Sequence, residues 1–210
     1  WVSECRVTHG TECSQSDLPP DWSLVDLDTQ NLVFYLIDVH RMCLAISTMK
    51  SAPAYVALSY RWGDPECSTQ CRQSNLALMT VPGGLISKDV VLAPTIRDAI
   101  TVTREVGFRY LWVDALCIVQ DDYERKPTYL NLMGTVYARA VLVLAILEGN
   151  ADVGIMGIGH DREVRDAINL PTRSLIKRTP RIIGKDTFSD KTWATRGWTF
   201  QEGLFASKML

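Results

Sequence analysis

Tyr110-Leu111-Trp112-Val113 is apolar at every position and stops on a charge, Asp114. So short a run with no polar face fits a strand covered on both sides, the environment of a parallel sheet. Tyr55-Val56-Ala57-Leu58 has the same character up to Ser59 and Tyr60. It gives way to Arg61-Trp62-Gly63-Asp64-Pro65, where Gly and Pro force a loop. Between the two runs, Pro94 sits where proline favours a helix start. Ile96, Ile100, Thr103 and Val106 follow on one helical face, with Gly107 as a left-handed stop. Leu130, Met133, Gly134 and Tyr137 keep helical spacing, which predicts a second helix ahead of a strand over Ala140 to Ile146. Strand, helix, strand, helix, strand over residues 55–147 predicts βαβ crossovers and an α/β fold with a mostly parallel central sheet flanked by helices.

Around this unit the organisation is less regular. Leu32 to Ile37 and Met42 to Ile46 are β-prone, and Asp38-Val39-His40-Arg41 between them is a hairpin connection or an irregular join. Residues 1–54 read as an extension packed on the main domain, able to add strands to it, and residues 55–210 as the core unit. The stretch after Asp64 is polar and loop-rich, with a turn at Pro82-Gly83-Gly84. Glu148 to Gly159 is loop, and residues 150–195 form an insertion ahead of a last helix that starts near Arg196. The chain opens on Trp1 with no basic-then-apolar leader, as a piece cut from a longer protein would.

Composition narrows the function classes. The 210 residues carry 22 basic and 24 acidic side chains, a net charge of -2. Nucleic-acid binding rests on basic groups that neutralise phosphates, so it is not expected. No apolar run approaches the roughly 18 residues of a membrane span; the longest, Ala138 to Leu147, is interrupted by Arg139. Six cysteines without a framework spacing suggest reduced thiols and a cytoplasmic setting. With three histidines, no Ser/His/Asp or Cys/His constellation assembles.

In open parallel sheets, ligands bind beyond the carboxyl ends of the strands. Three polar clusters fall there: Ser59 to Asp64, Asp114 to Asp122, and the Gly-rich loop after Ile146. Asp114 is a site residue or a cap that accepts backbone N–H bonds. Trp62, Trp112 and Trp198 are ligand platforms or core aromatics. Cys117, in an apolar setting, reads as an inert buried thiol. Cys5-x3-His9-x3-Cys13 places three soft groups at helical spacing, but Gly10 weakens the helix and a fourth ligand is missing, so no metal is assigned. Gly154, Gly157 and Gly159 lack the order of a phosphate-binding fingerprint.

Tyr55-Val-Ala-Leu-Ser-Tyr-Arg-Trp-Gly63, Pro94-Thr-Ile-Arg-Asp-Ala-Ile100, Tyr110-Leu-Trp-Val-Asp-Ala-Leu-Cys-Ile-Val-Gln-Asp-Asp122 and Arg196-Gly-Trp-Thr-Phe-Gln-Glu202 resemble, in order, the blocks of the fungal heterokaryon-incompatibility (HET) domain. Trp1…Cys5…His9…Cys13 is similar to the segment that often precedes them. Two departures stand out: Arg61, where many relatives carry Cys, Thr or Val, and Glu124 to Tyr129, which lacks the usual Trp. The family is in turn related to TIR domains, so the resemblance implies a TIR-like (flavodoxin-like) sheet. It also implies a role in non-self recognition and programmed cell death, a form of innate immunity.

Many TIR domains cleave NAD, and Trp198-Thr-Phe-Gln-Glu202 resembles the box that carries their catalytic glutamate. The carry-over makes Glu202 the candidate catalytic residue of a NADase, a hydrolase with NAD as substrate and no cofactor. Ser59, Tyr60, Arg61, Trp62, Gly63, Asp114, Arg196 and Trp198 are the candidate substrate-binding residues. The resemblance further implies self-association for activity and a regulatory domain in the parent protein. Read without it, Glu202 is a helix-surface carboxylate paired with Arg196 or Lys208. The rival function is a non-enzymatic adaptor whose strand-end loops bind a partner domain, with aromatics around Trp62 as anchors.

Overall fold

Tyr55–Ser59 (β3) is buried at all five positions. A computed structural model of the chain, which describes residues 32–155, 157–158, 167–170 and 173–176, shows why. β3 lies between Tyr110–Trp112 (β4) and Leu142–Ala145 (β5), and both neighbours run parallel to it. Tyr55 faces Tyr110 and Ala57 faces Trp112 on one edge, while Val56 faces Leu142 and Ser59 faces Ala145 on the other. With both edges bonded and both faces covered, none of its side chains reaches water.

The sheet has five strands in the order β2-β1-β4-β3-β5 and is mixed rather than mostly parallel. Val33–Asp38 (β1) and Cys43–Thr48 (β2) form a hairpin in full register, from Val33 opposite Thr48 to Asp38 opposite Cys43. β1 then docks antiparallel on the free edge of β4, Ile37 against Leu111 and Asp38 against Tyr110. A strand reached through a tight turn must oppose its partner, and the hairpin fills the edge that a further crossover would fill in an all-parallel sheet. Of the two readings of residues 38–41, the hairpin connection is the one the chain adopts.

The helix expected after Pro94 is Pro94–Glu105 (α2), with Thr95, Ile96, Ala99, Ile100 and Thr103 buried at helical spacing. It ends as Gly107 predicts. Gly107 adopts a φ of +83° and donates to Arg104 O, while Phe108 N donates to Thr103 O at 3.0 Å, a paired C-terminal closure. Two expectations shift. Gln73–Thr80 (α1) is a helix inside the stretch read as loop; only Met79 of its residues is buried, so no apolar stripe announces it. Asp114–Cys117 (α3) is a single turn, and the helix expected over 130–137 is two, Lys126–Asn131 (α4) and Met133–Arg139 (α5), interrupted at Leu132. Within the 150–195 segment, Ala167–Leu170 (β6) pairs antiparallel with Arg173–Ile176 (β7).

Tyrosines join the layers. Tyr55 Oη donates to Val136 O at 2.6 Å, Tyr137 Oη to Leu58 O at 3.3 Å and Tyr129 Oη to Val33 O at 2.6 Å. Burial pushes the Tyr55 phenol up strongly and that of Tyr129 up to about 12, so both remain donors. Trp112 is 1% exposed and meets Tyr137 edge-on at 5.6 Å, so it is a core aromatic.

Level with Tyr110 and Tyr55, at the amino-terminal end of β3 and β4, Asp38 closes the β1–β2 turn. Its Oδ1 accepts N–H bonds from His40 and Arg41, and its Oδ2 accepts Arg109 Nε and Nη2 at 3.0 and 2.8 Å. Asp38 is 1% exposed whereas the Arg109 side chain is 52% exposed. Burial alone would raise the carboxyl pKa; the Arg109 bonds and the two backbone donors outweigh it and hold it below its ordinary value. A lowered carboxylate pKa contributes stability that is complete above the unfolded value of about 3.9 and is lost as pH falls through the folded value. Asp38→Asn therefore lowers unfolding free energy at pH 7 by about 2–4 kcal/mol. In denaturant titrations the gap between wild type and variant narrows as the pH drops below about 4; a gap independent of pH would refute the assignment.

Candidate functional site

β3, β4 and β5 run in one direction, so their carboxyl ends open on one edge of the sheet. Trp112 is opposite Ala57, which sets Asp114, two residues on, level with Ser59 at the end of β3. Ile146, just past β5, donates its N–H to Ser59 O at 2.8 Å. The three polar clusters expected at strand ends thus meet around the segment that leaves β3.

That segment is braced on both sides. Toward β4, Trp62 Nε1–H donates to Asp114 Oδ2 at 2.7 Å, closing a separation of 52 residues. Toward β5, Asp64 N–H donates to Asp152 Oδ2 at 3.2 Å, and Asp152 is itself held by Asn150 through Nδ2 and through Oδ1, each at 3.0 Å. Gly63 lies between the braces. A Cβ there would land on the Asp152 carboxylate, so a side chain at 63 would push that carboxylate from its present bonds.

The six predicted residues in the described region separate into two groups. Ser59 and Tyr60 are buried, at 0% and 2% exposure, and belong to the sheet and its core. Arg61, Trp62 and Asp114 line a cleft of about 460 Å³, and Gly63, next to them in the chain, packs against Asp152. Ile118, Leu130 and Met133 supply apolar lining, and Gln120 and Lys126 complete it. Asp114 Oδ1 accepts the Ala115 N–H at 2.8 Å and its Oδ2 holds Trp62; Val113, not Asp114, is the residue that precedes the first turn of α3. Arg196, Trp198 and Glu202 lie outside the described residues, as do Cys5, His9 and Cys13.

Gln120 and Lys126 were not singled out from the sequence. Gln120 Nε2 donates to Asp114 O and Ile118 O, both at 2.9 Å, and its backbone N–H to Cys71 O at 2.8 Å. Lys126 Nζ reaches Gln120 O at 3.4 Å. The signal for Gln120 was available, since an amide directly after the apolar run Ala115 to Val119 must find buried partners. Nothing local in the sequence marks Lys126; only folding carries it to the cleft.

A second hollow of about 640 Å³ lies along Val119 to Arg125, with Tyr35, Tyr129 and three carboxylates. Asp121 is taken up by Gln73 N–H at 2.8 Å and Asp122 by the Arg125 N–H at 3.0 Å, and no β3 strand-end residue lines it. The described thiols are not activated nucleophiles. Burial pushes Cys71 up to about 11 and Cys117 far higher, and the Asp64 charge raises exposed Cys67. Among the described residues, no three His, Cys, Asp or Glu side chains gather to hold a metal ion.

The family profile described as heterokaryon incompatibility protein (HET) matches residues 55–202, from the first residue of β3 onward. The chain belongs to the HET family. It is 26% identical over 214 aligned residues to heterokaryon incompatibility protein 6, OR allele, of Neurospora crassa, covering 84% of this chain and 31% of that protein. This HET chain therefore spans about a third of the length of the relative it matches. No solved structure matches significantly. Every residue named as lining the 460 Å³ cleft falls inside the HET match, whereas the β1–β2 hairpin precedes it and still completes the sheet.

The Gly63–Asp152 contact is open to a double-mutant cycle. Gly63→Ala destabilises by about 1–2 kcal/mol, because the methyl group displaces a carboxylate that serves Asp64 and Asn150. In an Asp152→Gly background the same change costs less than about 0.5 kcal/mol. Equal costs in both backgrounds, measured by thermal denaturation, would show that the contact carries no strain.

Proposed function

We propose that this HET domain is an effector module of fungal non-self recognition, triggering cell death within a longer parent protein, and that it acts by consuming NAD. Membership of the HET family and the likeness to the Neurospora crassa incompatibility protein support the cellular role. The single observation that favours a nucleotide ligand is the cleft itself. It sits at the carboxyl edge of three parallel strands and combines a Trp62 wall, apolar lining and two cationic side chains. The parallel β4-β3-β5 unit is read as the counterpart of a TIR sheet, and the domain as a cytoplasmic one that self-associates and answers to a regulatory domain of the parent.

In this reading, the bond from ribose C1′ to the nicotinamide nitrogen breaks and nicotinamide leaves with the bonding pair, neutral. Positive charge grows on the sugar, where a carboxylate stabilises it; Glu202 is assigned that role. Water attacks C1′ and releases one proton, giving ADP-ribose. The leaving group is already cationic in NAD, so no second acid is needed and the scarcity of histidine is no obstacle.

The test incubates the assembled protein at high concentration with NAD and follows nicotinamide release. Wild type turns over, and Glu202→Ala falls by at least about 100-fold. Equal rates for the two proteins would remove Glu202 from the mechanism. Cell death in a fungal host that persists without NAD loss, yet disappears in Trp62→Ala, would establish the adaptor instead. Trp62 favours that second reading in one respect: at 37% exposure it can anchor a partner domain.

A further inference from the structure

The cleft holds a second cation that none of the sequence blocks marks. Lys126 opens α4, after the Asp114–Asp122 segment in the chain, and it lines the same hollow as Arg61. The one hydrogen bond of its ammonium group among the described residues, to Gln120 O, is long at 3.4 Å and goes to a neutral carbonyl. The ammonium is therefore held loosely and carries a charge that the bond does not neutralise. Asp114, the only carboxylate among the named lining residues, has Oδ1 on Ala115 N–H and Oδ2 on Trp62 Nε1–H, so it braces the wall of the cleft. Charged side chains on the lining are thus Arg61 and Lys126 against Asp114, an excess of positive charge on a chain whose net charge is -2. Ile118 and Met133 beside them are buried and apolar.

We propose that Lys126 is the anion-selecting residue of this cleft, and that the ligand is an aromatic ring joined to a phosphate. The ring lies against Trp62 and the Ile118–Met133 lining, and the phosphate takes Arg61 and Lys126. A flexible ammonium suits phosphate as a point charge, whereas the Arg61 guanidinium offers paired N–H donors. Gln120 positions the pair of walls: its amide ties Asp114 O to Ile118 O, and its carbonyl receives Lys126. The inference rests on the cleft being a ligand site, and extends that reading to a residue and a chemical class.

The experiment titrates AMP and adenosine into the 210-residue chain by calorimetry, at low and at physiological salt. Wild type binds AMP at least tenfold more tightly than adenosine, and added salt weakens AMP alone. Lys126→Gln reduces AMP affinity about tenfold and leaves adenosine unchanged. Lys126→Arg restores most of the loss, and a melting curve confirms that each variant is folded. AMP and adenosine binding alike, an AMP affinity indifferent to Lys126→Gln, or no binding of AMP by wild type would each overturn the proposal. Nicotinamide release in the absence of an AMP preference would overturn the role of Lys126 and leave NAD cleavage standing. An AMP preference in a protein that releases no nicotinamide would do the reverse.

Discussion

The confinement of β3 is the constraint on which the rest of the structure depends. A strand hydrogen-bonded along both edges and covered on both faces has one exit for its polar continuation, the carboxyl end, and Arg61 is the first residue there to reach water. Its two neighbours are parallel, so their continuations leave from the same edge. The site is a consequence of this geometry. Residues 59–64 are delivered into the middle of a row of three loop openings, with Asp114 on one flank and Asp152 on the other. An apolar run read as a buried strand is therefore also a statement about where the polar residues after it must gather.

The same confinement explains the polar groups of the interior. Tyr55 and Tyr137 bring phenols into a dry core, and each is tolerated because its hydroxyl reaches a main-chain carbonyl of a neighbouring element. Those bonds fix the separation of α5 from β3 more sharply than packing alone, since a phenol moved by an ångström loses its acceptor. Asp38 plays the corresponding part at the edge of the sheet where the hairpin joins. Its carboxylate satisfies the turn and takes Arg109 at the start of β4, so the edge strand is held by charge as well as by its short ladder on β4.

What was legible in the sequence divides along the same line. β3, β4 and α2 were readable because each is decided locally, the strands by unbroken apolar runs and the helix by Pro94, its buried stripe and Gly107. The antiparallel addition of β1 was not, because nothing within residues 33–48 says which edge of which strand will receive them. α1 was hidden for a different reason: with Met79 as its one buried residue it has no stripe, and it is held by tertiary contacts and by Asn75, whose Oδ1 takes the Arg72 N–H. The break at Leu132 lies inside a spacing that remains helical on either side, so periodicity alone runs across it. At the site, positions ending a strand were found and positions brought in by the return of the chain were not. Ser59 and Tyr60 belong to the same motif as Arg61 and Trp62, yet burial places the first pair in the core and the second pair at the cleft.

The opposed fates of neighbouring residues bear on how such a site can change. Trp62 and Asp114 are joined to each other, so neither can be replaced for the sake of a ligand without loosening the other loop. Arg61 and Lys126 carry no such obligation: one is exposed and the other is held by a single long bond to a carbonyl. The wall of the cleft is thus fixed by structure while its charge is adjustable, an arrangement in which ligand class can drift through a few side chains on a constant frame. The fold supplies the hollow and its aromatic wall, and Arg61 and Lys126 add two cationic side chains to its lining.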